Sequence, residues 1–528
     1  MKPFIINGAA RLIAGAVALA GFSAAALAQE TPRSGGTLRF ATQGEPTTFD
    51  CAAGTSIVAL QYLAPHYSTL ITFSQQNYPE IVGDLAKEWT ISPDGLTYSF
   101  TLNSGVKFHD GTVLTADDVK TTFDRIANPP EGVVSVRRSA YSKLDSITVT
   151  GPDKIEFKLK SPSAGFLSTL ANPWNCIYSA AKLKADPSYP AKTIMGTGPF
   201  TFAEYSAGAY WRGTKFADYF REGRPYLDGF EATLVSGAAV VNTIAGRQLD
   251  ANFRLISVPE RDRIGQVRDD VTFQSTPSTS VTLPVINTRK APFNDVRVRR
   301  ALSLAIDRDK GVELLGDLAS QRWQHVIFRN GHRLAPAPDD LRKVPGFSGD
   351  IEAQRAEARK LLEEAGVKDL KFRLLNRAIK VPYEALGVFF IDQWRQIGVE
   401  VTMDPLDSGP WAAKLASGDY EVAIDLNAPT SDDPTEVLQK YVPGVPVNYT
   451  GIEDQKLVDL FAAQDSATDP AERDRLVKEF VDRVVELQYV IPTFNAERIV
   501  VLDNKVRNWT VPPSFLVGLS MGDVWLAE

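Results

Sequence analysis

Residues 81–126, IVGDLAKEWTISPDGLTYSFTLNSGVKFHDGTVLTADDVKTTFDRI, decide how this chain folds. Trp89 and Ile91 alternate with polar neighbours, as in a strand with one buried face. The tetrapeptide Ser92-Pro93-Asp94-Gly95 has the composition of a tight turn, and apolar residues alternate again between positions 98 and 102. The pattern therefore predicts a β-hairpin.

A helix is predicted at the end of this segment. Thr115 and Asp118 are three residues apart and have the pattern of a capping box. Apolar side chains then recur at helical spacing, at Val119, Phe123 and Ile126. The full segment thus predicts a strand, a turn, a second strand, a second turn and a capped helix.

The same segment resembles the signature of the extracellular solute-binding proteins of the peptide/nickel/opine class, family 5. That pattern runs approximately L-A-x-x-W-x-x-S-x-D-G-x-x-Y-x-F-x-L-x-x-G-V-K-F-H-D-G-x-x-x-T-A-x-D-V. The matching positions are Leu85, Ala86, Trp89, Ser92, Asp94, Gly95, Tyr98, Phe100, Leu102, Gly105, Val106, Lys107, Phe108, His109, Asp110, Gly111, Thr115, Ala116, Asp118 and Val119. The resemblance implies an α/β protein with the two-lobe periplasmic binding protein fold (type II, large class). An inserted subdomain is expected in the first lobe, and a ligand cleft between the lobes.

Further segments resemble the family in the same order along the chain. They are the opening at 35–41, Gly196-Thr197-Gly198-Pro199-Phe200, Arg224 to Gly229, Ile244 to Asp250, and Asn287 to Arg308. Most of these are also explained as turns between packed elements, and Gly196 to Gly198 is interpreted as a tight interdomain turn rather than an anion site. The expected organisation is a signal peptide at 1–28, lobe I at 29–285 with the insertion at about 52–175, lobe II at 286–489, and a C-terminal return to lobe I at 490–528.

The pattern after residue 350 indicates helices alternating with strands, and therefore βα units on a largely parallel sheet. The predicted helices are 356–365, 383–397 and 411–417, each followed by glycine, and the predicted strands are 371–375, 399–403 and 420–424. Asp469-Pro470 begins a last long helix, and a strand is expected at 489–494.

The first residues have the features of a secretory signal peptide. Lys2 and Arg11 are the charges of residues 1–28, and an apolar stretch from Leu12 to Leu27 ends in Ala26-Leu27-Ala28. The stretch is shorter than the roughly 20 residues of a spanning helix, so an uncleaved anchor is the disfavoured alternative. We expect a periplasmic protein that begins at Gln29 and is a monomer.

Net charge and cysteine content further limit the class of protein that the sequence can encode. The net charge is −7, and loss of Lys2 and Arg11 makes the mature chain more acidic, which argues against nucleic-acid binding. Cys51 and Cys176 are the only cysteines. In an oxidising compartment they form either one disulfide or two buried free thiols, and the sequence leaves both open.

Catalytic motifs are missing from the sequence. There is no H-E-x-x-H, C-x-x-C or P-loop, and no glycine-rich nucleotide motif follows a strand. A metal site built on His325 and His332 with Asp339 and Asp340 is conceivable but disfavoured, because so few ligands are clustered. We expect no catalytic residue, no metal and no cofactor. A secreted hydrolase is the alternative from another class.

The resemblance implies that four segments contact the ligand. They supply the candidate residues Gly54, Thr55 and Ser56 in a small-residue loop, Thr279 in 277–283, Trp411 on a short helix, and Asn427, Thr430 and Asp432 in the loop 425–434. The small residues of the first loop are expected to leave backbone N–H groups accessible. Trp411 is equally explained as a core tryptophan, and Thr55 or Ser56 as a helix cap.

The sequence departs from peptide-binding relatives in the last of these loops. Those relatives have an acidic residue four positions before a proline, and it pairs with the α-amino group of the peptide. Counting back from Pro434 gives Thr430, and Asn427 stands where relatives usually have Trp. Either Asp425, Asp432 or Asp433 replaces the missing carboxylate, or the ligand has no cationic end there, which we favour.

The predicted function is the substrate-binding component of an ABC importer. It captures a peptide or similarly sized organic solute in an interlobe cleft and delivers it to the permease subunits of the inner membrane. A binder of a nickel chelate, an opine or an oligosaccharide is the alternative within the same fold.

Overall fold

The hairpin and capped helix of residues 81–126 are present in the computed structural model, which describes residues 30–46, 48–235, 237 and 239–528. Strands Ala86–Ile91 and Thr97–Leu102 pair antiparallel, with Trp89 opposite Phe100. The helix Ala116–Ala127 begins at Thr115, whose N–H donates to the Asp118 carboxylate at 2.7 Å. The predicted signal peptide lies outside the described residues.

The strands are numbered in chain order. They are β1 Thr37–Thr42, β2 Ile71–Phe73, β3 Ile81–Gly83, β4 Ala86–Ile91, β5 Thr97–Leu102, β6 Leu144–Gly151, β7 Lys154–Leu159, β8 Phe200–Ser206, β9 Tyr210–Lys215, β10 Gly229–Leu234, β11 Ala251–Asn252, β12 Val271–Ile286, β13 Gln321–Gln324, β14 Lys371–Arg377, β15 Glu400–Leu406, β16 Val422–Asn427, β17 Phe494–Asp503, β18 Val506–Arg507 and β19 Trp525–Leu526.

The α-helices are numbered in the same way. They are α1 Ile57–Leu63, α2 Ala116–Ala127, α3 Phe166–Leu170, α4 Ala180–Ala185, α5 Ala239–Ala245, α6 Val258–Gly265, α7 Val296–Leu304, α8 Arg308–Ala319, α9 Pro338–Leu341, α10 Ile351–Glu364, α11 Ala385–Arg395, α12 Ser408–Ser417, α13 Pro434–Gln439, α14 Gln455–Ser466 and α15 Pro470–Leu487. Among the residues that the structure describes, none of these helices has the length and apolar character needed to span a bilayer.

One large mixed sheet organises the molecule. Its strand order is β15-β14-β16-β12-β17-β11-β1-β10-β9-β8, with β13 added on β17. We call β14, β15 and β16 the second half of the sheet, and β1 with β8 to β11 the first half. The two longest strands, β12 and β17, pair antiparallel between the halves. The end of β12 also pairs with β16, and the end of β17 pairs with β11, so both strands belong to both halves.

Parallel pairing occurs inside each half, as βα units require. In the second half β14 pairs parallel with β15 and with β16, as the helix–strand alternation predicts. In the first half β1 pairs parallel with β10 and β11. The carboxyl ends of parallel strands lie at one edge of a sheet, so each half presents a row of loops at that edge.

The strand expected at 489–494 is wrong in position, because β17 begins only at Phe494. Before that residue, Val490 makes an isolated bridge to Val285. Pro492 has no N–H to give to a ladder, which ends regular pairing there. Its carbonyl instead accepts hydrogen bonds from the buried Arg308 guanidinium at 3.0 and 3.1 Å.

A separate four-stranded antiparallel sheet, β4-β5-β7-β6, lies within the predicted insertion at about 52–175. Helix α2 covers one face of it, and the rings of Phe100, Phe123 and Phe157 meet edge to face at centroid distances of 5.1 and 5.7 Å. We call β4 to β7 with α2 the inserted unit. The boundaries of the insertion and of the lobes stay predictions.

The segment Gly196-Thr197-Gly198 is packed too closely to bind an anion. A Cβ atom at Gly196 would lie 2.3 Å from the backbone oxygen of His66, and one at Gly198 would lie 2.4 Å from its carbonyl carbon. The Gly198 N–H donates to that oxygen at 3.0 Å. Both glycines therefore pack against Ala64–His66, a 3-10 turn that follows α1 directly. The segment therefore holds the chain before β8 against the end of α1, and the expectation of an interdomain turn stays a prediction.

We expect Gly198→Ala to lower the free energy of unfolding by about 1–3 kcal/mol, because backbone atoms must move to admit the new methyl group. Gly409→Ala in α12 is the matched control, since nothing lies within 4 Å of the added methyl and alanine favours a helix. Urea unfolding followed by circular dichroism measures both. Equal midpoints for the two variants contradict the close approach at Gly198.

Candidate functional site

Arg377 and Trp411 meet at the carboxyl edge of the second half of the sheet. Arg377 is the last residue of β14, and Trp411 lies in the first turns of α12, which follows β15. The Arg377 guanidinium lies 3.9 Å from the Trp411 ring centroid and 4.9 Å from that of Tyr383. Trp411 is 4 % exposed and also packs into the apolar core below it. One face of Trp411 therefore packs in the core, and the other face contacts the Arg377 guanidinium.

Both side chains carry a buried donor that has no acceptor. The Trp411 Nε1 and Arg377 Nε atoms are buried without a hydrogen-bond partner among the described residues. Arg377 also forms no ion pair with a described residue. A buried donor left unpaired costs about 1–3 kcal/mol, and a guanidinium beside it favours an anionic acceptor. The pair is therefore chemically suited to a carboxylate.

The loop after β16 is held by its own hydrogen bonds. Asn427 donates to the Val437 carbonyl at 2.9 Å. The Glu436 carboxylate accepts from the backbone N–H groups of Thr430 and Ser431, at 2.5 and 3.0 Å. Thr430 contributes no charge, and its carbonyl accepts from Ser514 Oγ at 2.7 Å.

Each of the three aspartates considered for a ligand amine already faces a cation. Asp432 is 4 % exposed and accepts three hydrogen bonds of 2.5 to 3.0 Å from Arg329. The other two pairs are Asp425 with Lys440 and Asp433 with Arg473. A carboxylate that is neutralised by a neighbour cannot also compensate a ligand ammonium without losing that neighbour.

The loop that contains Gly54, Thr55 and Ser56 is fixed rather than open. Cys51 and Cys176 form a disulfide with Cα atoms 6.1 Å apart. The Gly54 N–H donates to the Asp50 carbonyl at 3.0 Å, and Ser56 caps α1 by accepting from Val58 N at 3.2 Å. The expected accessible N–H of Gly54 is therefore occupied, and Ser56 is a helix cap. Thr55 is exposed.

Arg137 joins this loop to a tryptophan, a role that sequence reasoning missed. Its guanidinium donates to the carbonyls of Cys51 and Gly54, at 2.8 and 2.6 Å. It lies 4.7 Å from the ring centroid of Trp174, whose edge leaves no room for a side chain at Gly54. An isolated arginine outside any motif gave no signal in the sequence.

Thr279 lies where β12 and β17 pass between the two halves of the sheet. Pairing is irregular between Pro277 and Val281, and the Thr279 N–H donates to the Pro513 carbonyl at 3.1 Å. The segment 512–515 therefore contacts both Thr279 and, through Ser514, the loop at Thr430. Nothing in the sequence but the Pro512-Pro513 pair marked this segment.

Glu436, in α13, is a further buried carboxylate beside the loop after β16. Burial raises its pKa, although its hydrogen bonds to Ser431 and Thr430 act in the opposite direction. The Glu436 carboxylate interacts electrostatically with Tyr78, which follows β2, and with Arg137, which follows α2. Glu436 forms no ion pair with a described residue. Its hydrogen-bond donors are Thr430 and Ser431 in the loop after β16.

The chain around the inserted unit contacts α14 through Asp465, which lies at the end of that helix. The Asp465 carboxylate pairs with Lys143 Nζ at 2.5 Å and accepts from Ser163 Oγ at 3.0 Å, while its carbonyl accepts from Ala164 N at 2.7 Å. We call this group the Asp465 contact. It joins two parts of the chain that are separated by some three hundred residues.

The histidines considered for a metal site bond to backbone carbonyls. His325 Nε2 lies 3.0 Å from the Thr282 oxygen, and His332 Nε2 lies 2.9 Å from the Asp432 oxygen. No cluster of three or more His, Cys, Asp or Glu side chains suited to a metal occurs in the described part of the chain.

Known proteins with this geometry are solute-binding proteins. A sequence model of the family "Bacterial extracellular solute-binding proteins, family 5 Middle" matches residues 80–448. The di/tripeptide-binding protein 2 of Pseudomonas aeruginosa (strain UCBPP-PA14) is 30% identical over 451 residues, covering 80% of this chain and 81% of its own. The chain belongs to family 5 of the bacterial extracellular solute-binding proteins.

Other relatives of this solute-binding protein differ in what they bind. The glutathione-binding protein GsiB of Escherichia coli (strain K12) is 26% identical over 428 residues, covering 77% of this chain and 79% of its own. The periplasmic binding protein AgaA of A. tumefaciens R10, solved with agropinic acid, has a TM-score of 0.78 and 25% identity and covers 93% of this chain and 99% of its own. DppA of Helicobacter pylori, solved with the peptide STSA, has a TM-score of 0.78 at 21% identity, covers 94% of this chain and 99% of its own, and supports the fold.

These comparisons confirm the two-lobe α/β fold and the role of a substrate-binding protein of the ABC-transporter type. The relatives are periplasmic or extracellular binding proteins, and their family is one of transport proteins rather than enzymes. We infer that the two halves of the large sheet correspond to the two lobes of this fold, so that the Asp465 contact and the Ser514 hydrogen bond would connect opposite sides of the cleft.

We expect Asp465→Asn to favour the open arrangement of the lobes, because it removes the ion pair with Lys143. The radius of gyration in solution scattering should rise, and affinity for a bound solute should fall by up to about tenfold. Asp459→Asn on the same helix is the control, since Asp459 bonds only to exposed Gln455. An unchanged scattering profile in both variants argues against a role of Asp465 in closure.

Asp432→Asn should lower the free energy of unfolding by about 3–5 kcal/mol, because it leaves the Arg329 guanidinium buried without its carboxylate. Asp474→Asn breaks the exposed pair with Arg333 and should cost less than about 1 kcal/mol. Chemical denaturation of both variants gives the comparison. Similar losses in the two variants contradict a structural role for Asp432.

Proposed function

We propose that this solute-binding protein captures a peptide or similarly sized organic solute by its carboxylate, at Arg377 and Trp411. Closure of the lobes buries the solute, and the closed form delivers it to the permease subunits of an ABC importer. The observation that carries the proposal is the pair of buried donors without acceptors at the strand edge of the second half. The binding of peptides by relatives supports the size and class of the solute.

The solute has no free α-amino group at Thr430. This is supported by the three aspartates of that loop, each already paired with a cation, and by the hydroxyl side chain of Thr430 itself. A ligand ammonium buried there without a carboxylate would be strongly unfavourable. A carboxylic acid that is not an ordinary free peptide is therefore the second candidate class.

The chain is exported and works as a periplasmic monomer. The cleavage pattern at Ala26-Leu27-Ala28 supports a mature start at Gln29. Lobe I comprises 29–285 with an insertion at about 52–175, lobe II comprises 286–489, and 490–528 returns to lobe I. The joint membership of β12 and β17 in both halves of the sheet supports connections near these boundaries.

The function is tested by calorimetry with three forms of trialanine: the free peptide, its N-acetyl derivative, and the N-acetyl derivative with a C-terminal amide. We expect the acetylated acid to bind and the amide to bind at least about tenfold more weakly, since a hydrogen bond to a charged group is worth about 1.5–3 kcal/mol. Arg377→Gln should weaken binding of the acid by a similar factor. Trp411→Phe, which removes only the Nε1 donor and some ring area, should weaken it less.

Arg373→Gln on the same strand is the control, because the Arg373 side chain is exposed and pairs with Asp404. Its affinity should equal that of the wild type. Equal binding of the acid and the amide would falsify carboxylate recognition at Arg377. Tight binding of the free peptide that acetylation abolishes would restore recognition of the α-amino group.

A further inference from the structure

Arg254 lies at the carboxyl edge of the parallel strands in the first half of the sheet. The parallel strands β1, β10 and β11 end together at this edge, and Arg254 is two residues beyond the end of β11. The chain then continues along β17, where Ile256 N donates to the Ile499 carbonyl at 2.9 Å. This direction leads toward the start of β17, where the two halves of the sheet meet.

Hydrogen bonds connect the Arg254 backbone to the cleft loop at Thr430. Arg498 donates to the carbonyls of Phe253 and Arg254, and to those of Pro512 and Ser514 at 2.7 Å each. Ser514 in turn donates to the Thr430 carbonyl. The Arg254 backbone is therefore connected, through Arg498 and Ser514, to the loop at Thr430.

The Arg254 side chain is half-buried and has no partner among the described residues. No carboxylate or carbonyl of the described chain accepts a hydrogen bond from its guanidinium or forms an ion pair with it. More deeply buried arginines are compensated: Arg268 pairs with Asp270 and Asp503, and Arg308 donates to four carbonyls. Among the described residues, Arg254 therefore resembles Arg377 in combining burial with a charge that has no ion-pair partner.

A second guanidinium increases the positive potential at this place. Arg498 is fully buried and is surrounded by backbone carbonyls, with no carboxylate among its partners. Burial, together with the nearby charge of Arg254, lowers the pKa of Arg498 to about 9, and burial lowers the pKa of Arg254 itself. Two neighbouring cations without an acid favour an anion from outside the chain.

We propose that Arg254 binds a second carboxylate of the solute, so that the solute is an organic acid with two anionic groups. One group lies at Arg377 and Trp411 of the second lobe, and the other lies at Arg254 of the first lobe. This inference rests on the proposed function. It also explains why the nearby aspartates are all paired, since a free carboxylate in the cleft would repel such a solute.

Calorimetry with two matched probe series tests the inference. The first series is N-acetyl-alanine, N-acetyl-dialanine and N-acetyl-trialanine, and the second has an N-succinyl group in place of N-acetyl, which adds a carboxylate at the opposite end. We expect the best N-succinyl probe to bind at least about tenfold more tightly than the best N-acetyl probe. Arg254→Gln should remove this difference, and Arg254→Lys should retain part of it.

The controls separate this inference from the proposed function. Arg377→Gln should weaken both series, whereas Arg254→Gln should weaken only the N-succinyl series. Arg263→Gln on the exposed face of α6 should change neither, and thermal unfolding of each variant shows that the fold is kept. Equal affinity of the two series, or equal weakening of both by Arg254→Gln, overturns the role of Arg254 and leaves the proposed function standing. Binding of neither series by the wild type contradicts both.

Discussion

The antiparallel pairing of β12 with β17 is the constraint on which the rest of the structure depends. Because both strands extend through the junction, each half of the sheet completes its hydrogen-bond ladder only by pairing with one of them. The irregular pairing between Pro277 and Val281 falls where the halves meet. Thr279 bonds to the segment 512–515 at that irregularity and Arg498 bonds to the same segment, so this segment is held by the connection between the halves.

The pairing of charged side chains then indicates which solutes the proposed site can bind. On the second-lobe side the acidic side chains at 425, 432 and 433 are each held by a lysine or an arginine. On both sides guanidinium groups are left at Arg377 and Arg254 without carboxylates. Since buried charges are tolerated only when paired, the sign of the uncompensated groups indicates the sign of the solute. The proposed site is therefore suited to an anionic solute.

Local patterns made the fold predictable. The hairpin at 86–102, the capping box at Thr115, the helices that end at glycine, and Asp469 as a helix cap all depend on neighbours in sequence, and all are found in the structure. Alternation of helices and strands likewise predicted the parallel part of the second half. The strand expected at 489–494 failed because its apolar pattern ignored the missing N–H of Pro492.

The candidate site was less predictable because its partners are distant in sequence. Arg329 neutralises Asp432 across 103 positions, and Arg137 reaches Gly54 across 83. No spacing rule reveals such pairs, and single arginines outside a motif have many surface roles. Resemblance pointed to Trp411 and to the altered register at Thr430, and their contact with a ligand stays a prediction. The helix-cap alternative for Ser56 is found in the structure, whereas nothing in the sequence indicated that the Gly54 N–H bonds within its own loop.

The thermodynamics of closure link these observations. In the structure the Trp411 Nε1 and Arg377 Nε donors are removed from water without receiving an acceptor, at about 1–3 kcal/mol each. The Asp465 contact and the hydrogen bond from Ser514 to Thr430 offset part of this cost. Under the proposed function, a solute with two carboxylates supplies the missing acceptors of both lobes when the lobes close on it. The difference between its affinities for the closed and the open forms then comes mainly from those carboxylates. A ligand can shift the equilibrium between the two forms by no more than this difference in binding free energy. In this proposal, binding of the solute's carboxylates is therefore what stabilises the closed form.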